Sequence, residues 1–236
     1  MATNNVITRE RLKDGSLLAE WRATAPAGSP VRSDEEIAAS LKAALAERPD
    51  EGDVWVFGYG SLIWNPTFEF VEQRTALLQG WHRRFCVWTK GGRGSPDAPG
   101  LTLALDRGGS CRGIAFRLDP KQVDEELFIL WRREMVSGVY EARWVDIKVE
   151  NEKTIVQKAR AITFVANRSH DRFTDQLSDD EIARRIAAAR GPLGTCQEYF
   201  MNTIGHLEAL GLRDVGLERI RRCMSARETS SDVPLA

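Results

Sequence analysis

The sequence predicts an α+β fold. Helical periodicity occupies an early segment, β-type alternation dominates residues 54–165 with one helix inserted, and helical periodicity returns in the last third. Such segregated blocks differ from the regular strand–helix alternation of a parallel βαβ sheet. Residues 1–50 read as an N-terminal extension with one helix. Its start is Ser33-Asp34-Glu35-Glu36, which has capping-box spacing and is followed by Ile37, Leu41 and Leu45. The helix should end before Pro49, and Ala23 to Val31, rich in Ala, Pro and Gly, reads as a loop.

Strands are predicted over 54–60, 75–88, 101–106, 111–118, 143–149 and 155–165. Asp106-Arg107-Gly108-Gly109-Ser110 has the character of a tight hairpin link, and Asn151-Glu152-Lys153 that of a turn. The inserted helix begins at Asp119-Pro120, an N-cap acid followed by a first-turn proline, and ends at Gly138. A second capping-box pattern, Ser178-Asp179-Asp180-Glu181, starts a helix with Ile182, Ile186 and Ala189 on one face, stopped by Gly191-Pro192. Thr195-Cys196-Gln197-Glu198 caps another, carrying Phe200, Ile204 and Leu207. A last short helix spans Val215 to Met224, and residues 225–236 read as a polar, frayed tail.

Composition excludes several classes of function. A chain of 236 residues, 42% hydrophobic, can bury one good core or two small ones, and with no composition shift or low-complexity linker it reads as one domain with terminal extensions. Its 33 basic and 34 acidic residues give a net charge of −1, so no nucleic-acid partner is expected. No apolar run approaches the ~18 residues of a membrane span, so no membrane partner is expected, and the N-terminus shows no apolar signal segment. The four cysteines show no C-x-x-C spacing and the three histidines no ligand spacing, so we expect no metal and no cofactor. Reduced thiols suit a cytoplasmic location, with Cys86 and Cys111 as small core residues.

Two features carry candidate chemistry. In Val54-Trp55-Val56-Phe57-Gly58-Tyr59-Gly60-Ser61-Leu62 a buried-strand pattern breaks into two glycines bracketing a tyrosine. Glycine there marks a bend or a close backbone approach, and spacing alone leaves both open. The lysine of a Walker loop and the third glycine of a dinucleotide fingerprint are both missing. On the inserted helix, Val123, Leu127, Leu130 and Trp131 form a core-facing stripe whose next position is Glu134, within roughly 20° of Val123 at about 100° per residue. A carboxylate on an apolar stripe has two readings. It emerges in the last turn to meet solvent or an arginine, or it is a desolvated acid with a raised pKa, poised as a general base.

The string Phe57-Gly58-Tyr59-Gly60-Ser61-Leu62-Ile63-Trp64-Asn65-Pro66 resembles the opening signature of the ChaC family, the glutathione-specific γ-glutamylcyclotransferases. Three further stretches match in order: Gly80-Trp81-His82-Arg83-Arg84-Phe85; Trp131-Arg132-Arg133-Glu134-Met135 with Gly138 and Tyr140; and Arg190-Gly191-Pro192-Leu193-Gly194 with Tyr199. The resemblance implies a compact, mostly antiparallel β-barrel with surrounding helices, a catalytic domain over residues 51–224, and glutathione as small-molecule substrate. It places Glu134 at the family's catalytic glutamate. The implied substrate-binding set is Val56, Phe57, Gly58, Tyr59, Gly60, Ser61, Leu62, Arg83, Tyr140 and Tyr199. Each tyrosine has a core reading too, and Arg83 reads equally as a structural partner. Lys90-Gly91-Gly92-Arg93-Gly94-Ser95-Pro96 reads as a flexible loop that, in the family picture, flanks the pocket as a flap. Two other functions stand beside this one. One is a non-catalytic γ-glutamyl-binding module. The other is a serine hydrolase using Ser61, weakened because Tyr59 and Ile63 stand where a nucleophile elbow needs glycine.

Overall fold

The computed structural model describes residues 7–25, 31–48, 52–150 and 157–231. Its centre is a closed barrel of five strands: β1 (Trp55–Gly58), β2 (Glu72–Thr89), β3 (Gly100–Arg117), β4 (Tyr140–Val149) and β5 (Gln157–Ala166). The order around the barrel is β1-β3-β2-β4-β5 with antiparallel neighbours, and β5 closes onto β1 in parallel. Among the described residues seven α-helices surround it: α1 (Arg9–Lys13), α2 (Ser16–Thr24), α3 (Asp34–Ala46), α4 (Val123–Glu134), α5 (Asp179–Ala188), α6 (Cys196–Ala209) and α7 (Val215–Ser231). A two-stranded ribbon of β6 (Arg190–Gly191) and β7 (Gly194–Thr195) precedes α6.

Alternation along β1 divides the core in two, since successive strand residues face opposite sides. Trp55 and Phe57 join Leu78, Leu103 and Phe200 under α5–α7, while Val56 joins Ile162, Phe164 and Trp131 under α1–α4. Helix α4 buries Leu127, Leu130 and Trp131 as its stripe predicts, and Trp131 meets Phe164 edge-on at 5.3 Å.

Several expectations are corrected. The predicted strands 101–106 and 111–118 are one strand. Gly108 and Gly109 adopt φ 94° and 66°, but as an irregularity opposite Gly80 (φ 83°), where the register slips between Gln79 and Trp81. Paired glycines with positive φ serve a bulge as well as a hairpin. The true β2–β3 connection is the glycine-rich segment 90–99. Among its described residues the N-terminal extension carries three helices, not one. Ala23 and Thr24 belong to α2, and Leu12, Leu17 and Leu18 are fully buried beside Ile37. A five-residue α1 and an α2 entered through left-handed Gly15 (φ 79°) without a side-chain cap leave little periodicity to read. Helix α4 starts at Val123, because Asp119 instead accepts from the Lys121 N–H (2.9 Å) in a turn. Helix α7 continues to Ser231, so residues 225–231 are helical rather than frayed. The predicted turn at Asn151-Glu152-Lys153 lies outside the described residues.

Candidate active site

Glu134 closes the last turn of α4 with 14% of its side chain exposed. Beside it the Arg133 guanidinium, 5% exposed, places Nε 3.1 Å from Glu134 Oε1. Burial raises the Glu134 pKa above the ordinary carboxylate range, and the Arg133 charge opposes that only in part. Arg133 also donates from Nη2 to Ser61 Oγ (2.8 Å), from Nη1 to Thr67 Oγ1 (3.2 Å) and to the Asn65 carbonyl. One buried arginine therefore ties the end of α4 to the turn after β1. The helical stripe pointed to Glu134 and not to Arg133, whose only sequence signal is its place inside Trp131–Met135.

After Gly58 the chain passes Tyr59 and Gly60 into a 3₁₀ turn, Ser61–Ile63, closed by Ile63 N–H to the Gly60 carbonyl (2.9 Å). Among the described residues the N–H groups of Gly60, Ser61 and Leu62 have no hydrogen-bond acceptor, as expected of the orphan donors where a helical turn begins. A Cβ on Gly58 would lie 3.1 Å from Leu62 Cβ and from Phe116, and one on Gly60 would lie 3.2 Å from the Tyr199 hydroxyl. Gly58 serves packing, and Gly60 makes room beside Tyr199.

Ser61, Arg133, Glu134 and Tyr199 line one pocket of about 390 Å³, together with Trp64 and Arg93. Tyr199 packs against Trp64 (5.7 Å between rings), lies under the Arg93 guanidinium (5.5 Å), and has its phenol pushed up to about 12, by burial first and by Glu134 as well. Of the predicted set, Glu134, Ser61 and Tyr199 reach the pocket and Gly60 stands behind the Tyr199 hydroxyl. The others support it from behind. Val56 and Phe57 are fully buried, Leu62 is packed beneath the turn, and the Tyr59 and Tyr140 hydroxyls donate to the carbonyls of Phe164 (2.7 Å) and Leu103 (2.8 Å). Arg83 is not among the lining residues. It donates to the carbonyls of Tyr59 (2.5 Å) and Arg112 (2.7 Å) and pairs with Asp214, which makes it a structural clamp rather than a substrate fork.

The glycine-rich segment 90–99 does flank the pocket, through Gly92 and Arg93, but it is not a free flap. Leu193 N–H donates to the Gly92 carbonyl (3.0 Å), Arg93 Nη1 to the Thr195 carbonyl (2.9 Å), and a Cβ on Gly191 would collide with the backbone of Gly92 and Gly94. Cys196 opens α6, yet its thiol donates to the Leu101 carbonyl (2.9 Å) and burial raises its pKa. Among the described residues no group of three His, Cys, Asp or Glu is arranged to hold a metal ion, and no helix is long and apolar enough to cross a membrane. The pocket also takes in Ile7 and Trp21 from the N-terminal segment, which carries no motif.

The closed five-strand barrel with helices around it has the γ-glutamylcyclotransferase fold. A crystal structure of a γ-glutamyl cyclotransferase specific to glutathione from yeast superposes with a TM-score of 0.67 at 19% identity, covering 75% of this chain and 97% of that one, a likeness of fold alone. The chain belongs to the ChaC-like family, whose model matches residues 54–227. It is 45% identical over 185 residues to the glutathione-specific γ-glutamylcyclotransferase of Escherichia coli K12, covering 78% of each chain. It is 32% identical over 187 residues to the mouse glutathione-specific γ-glutamylcyclotransferase 1, covering 75% of this chain and 83% of that one.

Proposed function

We propose that this ChaC-like enzyme cleaves glutathione to 5-oxoproline and Cys-Gly, with Glu134 as general base and then general acid. The observation that carries the reading is a carboxyl on the pocket wall whose pKa burial raises despite an adjacent arginine. The glutamyl α-amine attacks the γ-carbonyl carbon, a C–N bond closes a five-membered ring, and the amide bond to cysteine breaks. Glu134 takes a proton from the attacking amine and returns it to the departing amine, so no water is consumed. The orphan N–H groups at Gly60–Leu62 suit the substrate's α-carboxylate or the developing oxyanion. Arg133 holds Ser61 and Glu134 in fixed relation, and the pocket walls fold the glutamyl chain back on itself.

The hydrolase reading finds little support. Ser61 Oγ accepts from Arg133, a guanidinium that cannot take its proton, while His82, His170 and His206 are hydrogen-bonded to the carbonyls of Gly108, Ser137 and Asn202. Incubating the protein with glutathione and quantifying 5-oxoproline and Cys-Gly tests the proposal. Equimolar release of both supports it. Binding without turnover identifies a γ-glutamyl-binding module, and release of free glutamate indicates hydrolysis.

A further inference from the structure

The segment ahead of the family-matched region is built into the pocket. Asn65 Nδ2 donates to the Ile7 carbonyl (3.0 Å), and the Asn65 carbonyl in turn accepts from Arg133. Arg9 forks onto Glu126, a carboxylate 1% exposed on α4, which also accepts from the Glu69 N–H (2.8 Å). Arg132, again on α4, donates to the carbonyls of Leu12 (2.9 Å) and Lys13 (2.7 Å) at the end of α1. Helix α4, which carries Glu134, thus holds α1 and the turn into α2 from below.

That anchoring sets Trp21 against open space. Trp21 lines the Glu134 pocket and also a second cavity of about 180 Å³, and the two share Trp21, Thr89, Gly92 and Leu193. The glycine-rich loop and Leu193 are pinned to each other through backbone, so that side of the boundary is fixed. The indole is the large, partly exposed side chain left between the cavities. A wall of this kind limits what extends beyond the γ-glutamyl group.

We propose that Trp21 is a specificity-determining residue: it partitions the substrate pocket from the adjoining cavity and excludes γ-glutamyl peptides with bulky substituents, such as S-substituted glutathiones. The inference rests on the reading of the larger pocket as the γ-glutamyl site. Truncating Trp21 joins the cavities, and the space gained suits an S-benzyl group.

The test is the ratio of kcat/KM for S-benzylglutathione to that for glutathione, read by 5-oxoproline release in wild type, Trp21→Ala, Trp21→Leu and Trp21→Phe. Circular dichroism and thermal melting establish that each variant is folded, and Trp21→Leu provides the measurement if Trp21→Ala melts. The ratio should rise at least ~10-fold in the truncated variants, the scale of discrimination that one or two methylene-sized contacts provide, and stay within about twofold in Trp21→Phe. An unchanged ratio in a folded truncation, or a parallel loss on both substrates, overturns the proposal. Wild type that releases no 5-oxoproline from glutathione instead sinks the reading of the reaction. Calorimetric binding of the same two compounds then reads the partition, which stands only if the truncations gain at least ~10-fold for S-benzylglutathione relative to glutathione.

Discussion

Arg133 and Glu134 are consecutive helical residues whose side chains meet, with Nε 3.1 Å from Oε1, at the point where α4 ends. Burial disfavours both charges, and for Glu134 it outweighs the attraction, so the carboxyl holds its proton to higher pH than an ordinary glutamate. A general base works only when deprotonated. The acid limb of kcat/KM against pH should therefore lie above the ordinary glutamate value of 4.5. Arg133→Gln removes the opposing charge and should move that limb further up in pH, and Arg133→Lys, which keeps a positive charge, should leave it lower than in Arg133→Gln. Limbs near 4.5 in all three proteins would show that Glu134 does not set the profile.

The turn after β1 separates a space requirement from a hydrogen bond. Gly60→Val places branched carbon where a Cβ already lies 3.2 Å from the Tyr199 hydroxyl, and should reduce 5-oxoproline release to background. Ser61→Ala loses one acceptor for Arg133 and should slow turnover by about 10-fold, the scale of one charge-assisted hydrogen bond. Complete inactivity of Ser61→Ala, with a covalent adduct trapped on wild type, would restore the serine nucleophile.

The anchoring of α1 makes a stability prediction. Arg9→Ala leaves the buried Glu126 carboxylate with the Glu69 N–H as its remaining partner, and should cost about 3 kcal/mol in urea unfolding, as for a broken buried pair. A loss under about 1 kcal/mol would mean the pair behaves as a surface bridge.

Cys196→Ser should fold and keep activity, since a serine hydroxyl can make the same bond to the Leu101 carbonyl. Iodoacetamide at pH 7 should label this thiol slowly in the native protein, because burial both shields it and raises its pKa. Rapid labelling with loss of activity would place the thiol in the reaction.

What was legible in the sequence was whatever local periodicity and capping encode. The α4 stripe, the capping boxes at Ser33 and Thr195, and the strand ahead of Gly58 all appear near where the residues put them. The Ser178 box forms by half, because Glu181 turns to Arg184 and Arg185. Gly108-Gly109 carried the right backbone signal and the wrong consequence, since only pairing with β2 distinguishes a bulge from a hairpin. Arg83 was ambiguous because a planar fork suits a substrate carboxylate and Asp214 equally, and Asp214 is 131 residues away. Arg133, Trp64 and Arg93 enter the pocket through contacts between distant segments. Ile7 lies just ahead of α1 and Trp21 lies in α2, and the weak periodicity of these two short helices hides that the segment packs at all.

The most direct measurement compares Glu134→Gln with wild type for glutathione binding, 5-oxoproline release and thermal stability at pH 7. A group whose folded pKa is raised loses stability as pH rises through the window between its unfolded and folded values, so a neutral isostere should melt at the same temperature or higher. Arg133 keeps Ser61, Thr67 and the Asn65 carbonyl as acceptors in the variant. Binding should persist while turnover falls at least ~100-fold, the low end of general acid–base catalysis. Unfolding of Glu134→Gln would make the pair with Arg133 a structural one, and near-wild-type turnover in a folded variant would place the base elsewhere.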